Sequence, residues 1–327
     1  MAGQWVPDVL GEPFEQLTLD LGVEGLHGPL VATLVRLMPG PVAALLRPLR
    51  DVDVLYVHGW SDFFFQTELA RFWTGLGARF HALDLRRYGR SLRPDNVPGY
   101  IDSLDDYDVD IEAALTAIGQ GADAAPSRRL VLLGHSTGGL TLTLWAARHA
   151  GRAAGLVLNS PWLEFQFGAV GRQAIAPLVS ARARFDPRGT QPVVDLGFYT
   201  RAQAEVGALP LAIDEPEWRP ERGFPTRPGW LAAILQGHRR VAAGVEVGCP
   251  VFVLLSARST PPLTWSETMT SSDSVLVVDD IAKSATRIGR LVTVARIDGA
   301  IHDVFLSRPG PRAAAYRELD HWMRSLS

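Results

Sequence analysis

Leu130-Val-Leu-Leu-Gly-His-Ser-Thr-Gly-Gly, residues 130 to 139, is the stretch from which the architecture can be read. Its four apolar residues read as a buried strand, and the Ala/Leu/Trp-rich run that follows reads as a helix over residues 139–149. Between them, Gly134-His-Ser-Thr-Gly138 is a G-x-S-x-G turn, the pattern of a sharp strand-to-helix bend that exposes a serine hydroxyl. Such a bend holds the serine at positive φ, and a Cβ two residues before or after it would clash. The following helix aims unpaired N–H groups and its positive dipole end at the hydroxyl, which makes the Thr137 amide a candidate oxyanion donor. An ordinary Gly/Ser turn can carry the same letters. The strand before, the helix after and the small Gly139 favour the chemical reading of Ser136.

Outward from this turn, short apolar runs alternate with amphipathic stretches. Strands are predicted over 14–21, 30–35, 54–58, 80–83, 130–133, 155–158, 251–255 and 291–297, and helices over 67–75, 104–118, 139–149, 280–288 and 312–325. From Val54 onward the two types alternate and the strands are continuous apolar runs, as in a parallel sheet covered by helices on both faces. No helix separates the first two strands, which are expected to form an antiparallel edge. The alternation fails between Pro161 and Gly248. That stretch holds Trp162, Phe165, Phe167, Phe198, Tyr199, Trp218, Phe224 and Trp230, more apolar surface than a solvated linker leaves exposed, so residues 161–247 are expected to form an inserted cap on a core made of 1–160 and 248–327.

The chain has 327 residues, of which 47% are apolar and 20% charged, which is ordinary globular usage and excludes disordered, collagenous and coiled-coil classes. Its 32 basic and 35 acidic residues give a net charge of −3, without the basic excess that binding a phosphate backbone requires, so no nucleic-acid partner is expected. Lys283 is the only lysine. Cys249, the single cysteine, can form no internal disulfide, and no Cys/His cluster has zinc-ligand spacing; neither a metal nor a cofactor is expected. The N-terminal residues lack a basic and then apolar leader, and no apolar run reaches the ~18 residues of a spanning helix. These features predict a soluble, cytoplasmic protein, with its oligomeric state left open.

A serine hydroxyl is a weak nucleophile at neutral pH and needs a base and an orienting acid later in the chain. His302, in Arg296-Ile-Asp-Gly-Ala-Ile-His-Asp, lies just past the last strand, where a loop can return an imidazole over the sheet edge. His27, His81, His149, His238 and His321 are badly placed, while His58 and His135 belong to turns before or beside the serine. For the acid, Asp273 leaves room for one helix and one strand before His302. Asp279 and Asp280 fit a helix start, where carboxylates cap and complement the dipole, and Asp298 and Asp303 are near enough to His302 for local hydrogen bonds. Asp273 is favoured. The second oxyanion donor is expected after the strand ending at His58, in His58-Gly-Trp-Ser-Asp, as the Trp60 amide. Phe63, Phe64, Trp162 and Phe165 are candidates for a substrate pocket, although an aromatic run such as Phe63-Phe-Phe65 is equally well read as core.

With Val57-His-Gly-Trp, Ala82-Leu-Asp-Leu-Arg-Arg-Tyr-Gly-Arg-Ser, Gly134-His-Ser-Thr-Gly-Gly, Ser271-Ser-Asp-Ser-Val and Gly299-Ala-Ile-His-Asp in place, the sequence resembles α/β-hydrolases of the serine aminopeptidase and monoacylglycerol lipase-like group. The resemblance implies an eight-stranded, mostly parallel sheet, a Ser136, Asp273, His302 triad, oxyanion amides at Trp60 and Thr137, and a mostly helical cap. It departs from the group at Ser256–Ser272, a long interruption between the last central strand and the acid. The resemblance does not carry over a substrate; because an aromatic, apolar cap suits acyl chains, the expected activity is cleavage of a small or lipid-like ester through an acyl-enzyme on Ser136. An aminopeptidase or amidase of the same fold, an acyltransferase and a non-catalytic ligand-binding relative are the alternatives.

Overall fold

A computed structural model describes residues 3–24, 28–166, 168–190, 195–210 and 213–325; His27 and Phe167 lie outside them. The strands are β1 (Val6–Pro7), β2 (Glu15–Val23), β3 (Pro29–Leu37), β4 (Val52–Val57), β5 (Arg79–Asp84), β6 (Arg129–His135), β7 (Gly155–Asn159), β8 (Val251–Ser256) and β9 (Val292–Ile297). They form one sheet in the order β1-β2-β3-β5-β4-β6-β7-β8-β9. β1, β2, β3 and β5 are joined antiparallel, and β5 through β9 parallel. The expected sheet of eight strands gains a ninth. β1 has two exposed residues and no hydrophobic alternation, so only its pairing with Gln16 and Glu15 defines it.

The helices are α1 (Pro41–Leu46), α2 (Thr67–Gly75), α3 (Asp108–Ala117), α4 (Thr137–Arg148), α5 (Gly168–Phe185), α6 (Phe198–Glu205), α7 (Pro228–Ala243), α8 (Val278–Ala285) and α9 (Pro309–Ser325). The helix expected over 104–118 is instead a 3₁₀ turn, Leu104–Tyr107, followed by α3. Ser103 accepts from the Asp105 amide and Asp106 answers at the Ser103 amide, closing a capping box ahead of the turn.

Strand periodicity divides the core between the two faces of the sheet. Leu55 and Val57 face one layer, with Leu132, Leu140, Trp145 and Ile234; Val54 and Tyr56 face the other, with Leu133, Trp73, Phe80 and Leu319. β4, β6, β7 and β8 are buried almost throughout, which is why they read as continuous apolar runs. Between β7 and β8 the chain forms α5, α6 and α7; α7 packs on α4, and α5 packs on α7. The order of the parallel strands brings the loops after β4, β6, β7, β8 and β9 to one carboxyl edge, where open α/β sheets place their ligands.

Candidate active site

At that edge Ser136 links β6 to α4 with φ 49° and ψ −115°, a strained conformation for a residue bearing a side chain. A Cβ on Gly134 would lie 2.7 Å from the Gly139 nitrogen and Cα, so the strand can enter the helix this closely only without a side chain there. The Ser136 amide donates to the Asn159 carbonyl at 3.0 Å, and the Ser136 carbonyl accepts from the Trp162 amide at 2.9 Å. These bonds tie the turn to the end of β7. Thr137 begins α4, so its amide has no acceptor within the helix.

His302 sits on the loop after β9, and its Nδ1 is 2.8 Å from Asp273 Oδ2, with both side chains buried. A carboxylate only accepts, so Nδ1–H donates to Asp273, and Nε2 is left outside this hydrogen bond. Asp273 Oδ1 accepts from the Val275 and Leu276 amides, each at 2.8 Å, which fixes the carboxylate plane. Three of the other candidate carboxylates are occupied elsewhere. Asp279 and Asp298 are exposed and paired with Arg296 and Arg258, and Asp303 accepts from the Phe305 amide at 3.1 Å. The long interruption ahead of Asp273 is absorbed locally: Ser259 and Asp273 form a parallel bridge, Asp273 N donates to Arg258 O and Thr260 N to Asp273 O, so the excursion returns to where it left β8.

The His302 ring lies 5.0 Å from that of His135, the neighbour of Ser136, which places the imidazole beside the turn. Asn159 holds the two together. Its Nδ2 donates to Asp303 Oδ1 at 2.6 Å, its Oδ1 accepts from the Val304 amide at 3.1 Å, and its carbonyl accepts from the Ser136 amide and faces His135 Nδ1 at 3.0 Å. Asp303 also accepts from Gln66 Nε2 at 3.1 Å. Sequence reasoning overlooked Asn159, although a polar residue closing the apolar run of β7 was a visible signal.

The loop after β4 is shaped by His58, whose Nε2 accepts from the Leu85 amide at 3.1 Å, leaving Nδ1 to donate to the Gly59 carbonyl at 2.8 Å. Burial lowers the His58 and His135 pKa values, outweighing the pull of nearby carboxylates, so both stay neutral. Beside Gly59, Trp60 packs on Trp230 with ring centroids 3.7 Å apart and planes tilted by 34°, and meets Tyr88 and Phe224 edge-on. Trp162 lies 6.0 Å from Trp230, and Phe165 packs against the same cluster. The Phe63-Phe-Phe65 run divides. Phe63 and Phe65 pack with Ile301, Leu306 and Trp218, whereas Phe64 faces Phe14, Tyr56 and Phe80 in the core layer. Phe64 thus takes the core place that is one of the two readings of this run: successive residues point in opposite directions, and the Phe64 amide is held by Asp84 at 2.9 Å.

The carboxylates between β7 and β8 lie close to arginines, backbone amides or solvent. Glu164 is ion-paired with Arg172 at 2.7 Å, which with the Phe165 amide holds its pKa down against burial. Asp195 accepts from the Gly197 amide, Glu205 pairs with Arg201, and Asp214, Glu215, Glu217 and Glu221 are exposed. On the loop after β4, buried Asp62 meets Arg219 at 3.1 Å; desolvation raises its pKa and the guanidinium opposes that rise.

A family model described as serine aminopeptidase, S33, matches residues 51–260, most of the sheet with the turn at Ser136. The chain belongs to this hydrolase family. No curated protein sequence matches it. Among solved structures, the hydrolase is similar to a soluble variant of the Saccharomyces cerevisiae monoglyceride lipase in complex with a substrate analogue (13% identity, 100% of this chain and 96% of the other, TM-score 0.62). It is also similar to the Paleococcus ferrophilus monoacylglycerol lipase (18%, 90% and 99%, 0.63) and to a thermophilic esterase from Thermogutta terrifontis (17%, 94% and 98%, 0.55). At these identities the likeness establishes an α/β-hydrolase fold. No helix among the described residues is long and apolar enough to cross a membrane.

Proposed function

We propose that this hydrolase cleaves carboxylic esters, as a carboxylesterase or monoacylglycerol lipase-like enzyme, through an acyl-enzyme on Ser136. The observation that carries the proposal is the buried Asp273–His302 hydrogen bond beside a serine held at positive φ. His302 Nε2 takes the Ser136 proton as Oγ attacks the ester carbonyl, the Trp60 and Thr137 amides hold the oxyanion, and His302 returns the proton to the departing alcohol. Water activated by the same imidazole then releases the acid. Asp273 keeps the tautomer and stabilises the imidazolium.

An ester is preferred to a peptide with a free α-amine. A cationic amine needs an unpaired carboxylate in the pocket, whereas Glu164 and Asp62 are each neutralised by an arginine and the neighbouring surfaces are the rings of Trp60, Trp162, Phe224 and Trp230. Residues 161–247, which supply three of those rings, are proposed to act as a cap over the pocket. The names of the structural neighbours, two monoacylglycerol lipases and an esterase, agree with this substrate class.

The test is turnover of a short p-nitrophenyl ester against a prolyl anilide, with fluorophosphonate labelling. Ester turnover and labelling, both lost in Ser136→Ala at an unchanged melting temperature, are expected. Full activity in Ser136→Ala, or turnover of the anilide alone, would overturn the proposal.

A further inference from the structure

The helix α6 touches three of the loops that carry the site. Toward the base, the Tyr199 hydroxyl accepts from the Asp303 amide at 3.0 Å, the first peptide N–H after His302, and its ring meets the imidazole edge-on, at 5.4 Å and 83°. Toward the acid, Phe198 packs on Trp265 at 6.1 Å and the Arg201 guanidinium lies 4.0 Å from the same indole, on the excursion that returns at Asp273. Toward the loop after β4, Gln203 accepts from Arg219, which holds Asp62. Gln203 also donates to the Tyr199 hydroxyl at 3.0 Å, joining the contacts to base and oxyanion loop within one helical turn.

We propose that Tyr199 is a positioning residue for His302 and that α6 is the clasp through which the base, acid and oxyanion loops are brought into register. This rests on the reading of Ser136 and His302 as nucleophile and base. The phenol is suited to the task. Desolvation and the nearby Asp303 carboxylate push its pKa well above the usual value, so it remains a neutral acceptor for two N–H donors across the working pH range. The long acid excursion gives the clasp its purpose: an orienting carboxylate delivered by a long loop needs an anchor outside its own strand, and Trp265 provides the surface on which α6 closes. A base displaced by a fraction of an ångström loses alignment with Oγ while the substrate pocket is unchanged, so the effect belongs in kcat and leaves KM alone.

Tyr199→Phe keeps the ring and removes the acceptor. With active sites counted by fluorophosphonate titration, the expected result is a fall of about tenfold in kcat per titrated site at unchanged KM, with a displaced acid limb of the kcat/KM pH profile. In Arg201→Gln, which releases Trp265 from the half-exposed outer side of α6, a smaller fall is expected, and the double variant should lose less than the product of the single effects. A Tyr199→Phe enzyme with wild-type kcat per site and pH profile overturns the proposal, as does one that loses only titratable sites. An inactive, unlabelled wild-type chain would instead overturn the reading of Ser136 and His302.

Discussion

A Cβ built on Gly138 would lie 2.3 Å from the His58 carbonyl oxygen and 2.4 Å from that of Val57. Both atoms are backbone at the end of β4, so neither can swing aside as a side-chain tip would. The close approach places the first turn of α4 beside the loop that carries Trp60, which is how one residue type serves both halves of the proposed oxyanion hole. Gly138→Ala is expected to cost ~3 kcal/mol or more in urea unfolding and to abolish ester turnover, because the strand end must retreat from the helix. A variant with wild-type stability would show that β4 and α4 are not in contact there. At this scale the sequence was informative wherever spacing carries geometry. Ser136, His302 and Asp273 fall where strand, loop and chain order require. Tyr199 was invisible as a site residue, because its bond to the Asp303 amide depends on how α6 docks and on no local pattern.

Among the elements, the antiparallel edge is joined to the site side of the sheet by Arg90. Its Nε and Nη2 form a two-pronged pair with Asp8, at 2.7 and 2.9 Å, and its Nη1 reaches Asp84 at 2.8 Å and the Phe64 carbonyl at 3.1 Å. All three side chains are buried. Burial works against the charge, but the two carboxylates around the guanidinium outweigh it and raise the arginine's pKa still further, so the group is a permanent cation. Arg90→Met would strand two buried carboxylates, and a loss of about 3–5 kcal/mol is expected from chemical denaturation, with β1 and β2 the first to lose amide protection in hydrogen exchange. A loss under ~1 kcal/mol would mean that water already reaches these groups. The strands with two covered faces were legible because burial makes them uniformly apolar. β1 and the split before α3 were not: the first rests on cross-strand bonds, and the second is a change from 3₁₀ to α-helical bonding within one apparently continuous helical pattern.

For the whole molecule, acid is the expected weakness. His58, His81, His135 and His238 are all buried, and desolvation lowers each pKa, to about 4 for His81 and for His238. A folded-state value below the ordinary 6.5 means that the unfolded chain binds protons the native one refuses. Stability is therefore complete above about pH 6.5 and falls as the pH drops toward 4, by up to ~1.4 kcal/mol per pH unit for each histidine held neutral. Urea midpoints measured from pH 7.5 to 4.5 should decline steadily below 6.5; a midpoint unchanged between pH 7 and 5 would show that these imidazoles are not held neutral. The histidines lie in β5, in α7 and at the ends of β4 and β6, so the loss should be global and cooperative, not confined to the loops of the site.

By itself the sequence determined the sheet's central strands and the bend at Ser136, because hydrophobic periodicity and glycine placement are local consequences of burial and backbone sterics. Tertiary structure decided which carboxylate meets His302: spacing favoured Asp273, and a parallel bridge at Ser259 returns it to the end of β8, while Asp298 and Asp303 are engaged elsewhere. It alone decided that Phe64 belongs to the core while Trp60 packs on Trp230, and that Tyr199 reaches the peptide after His302. Those outcomes depend on contacts between residues far apart in the chain, whose free energy is set by the packing of whole elements and leaves no mark on neighbouring letters.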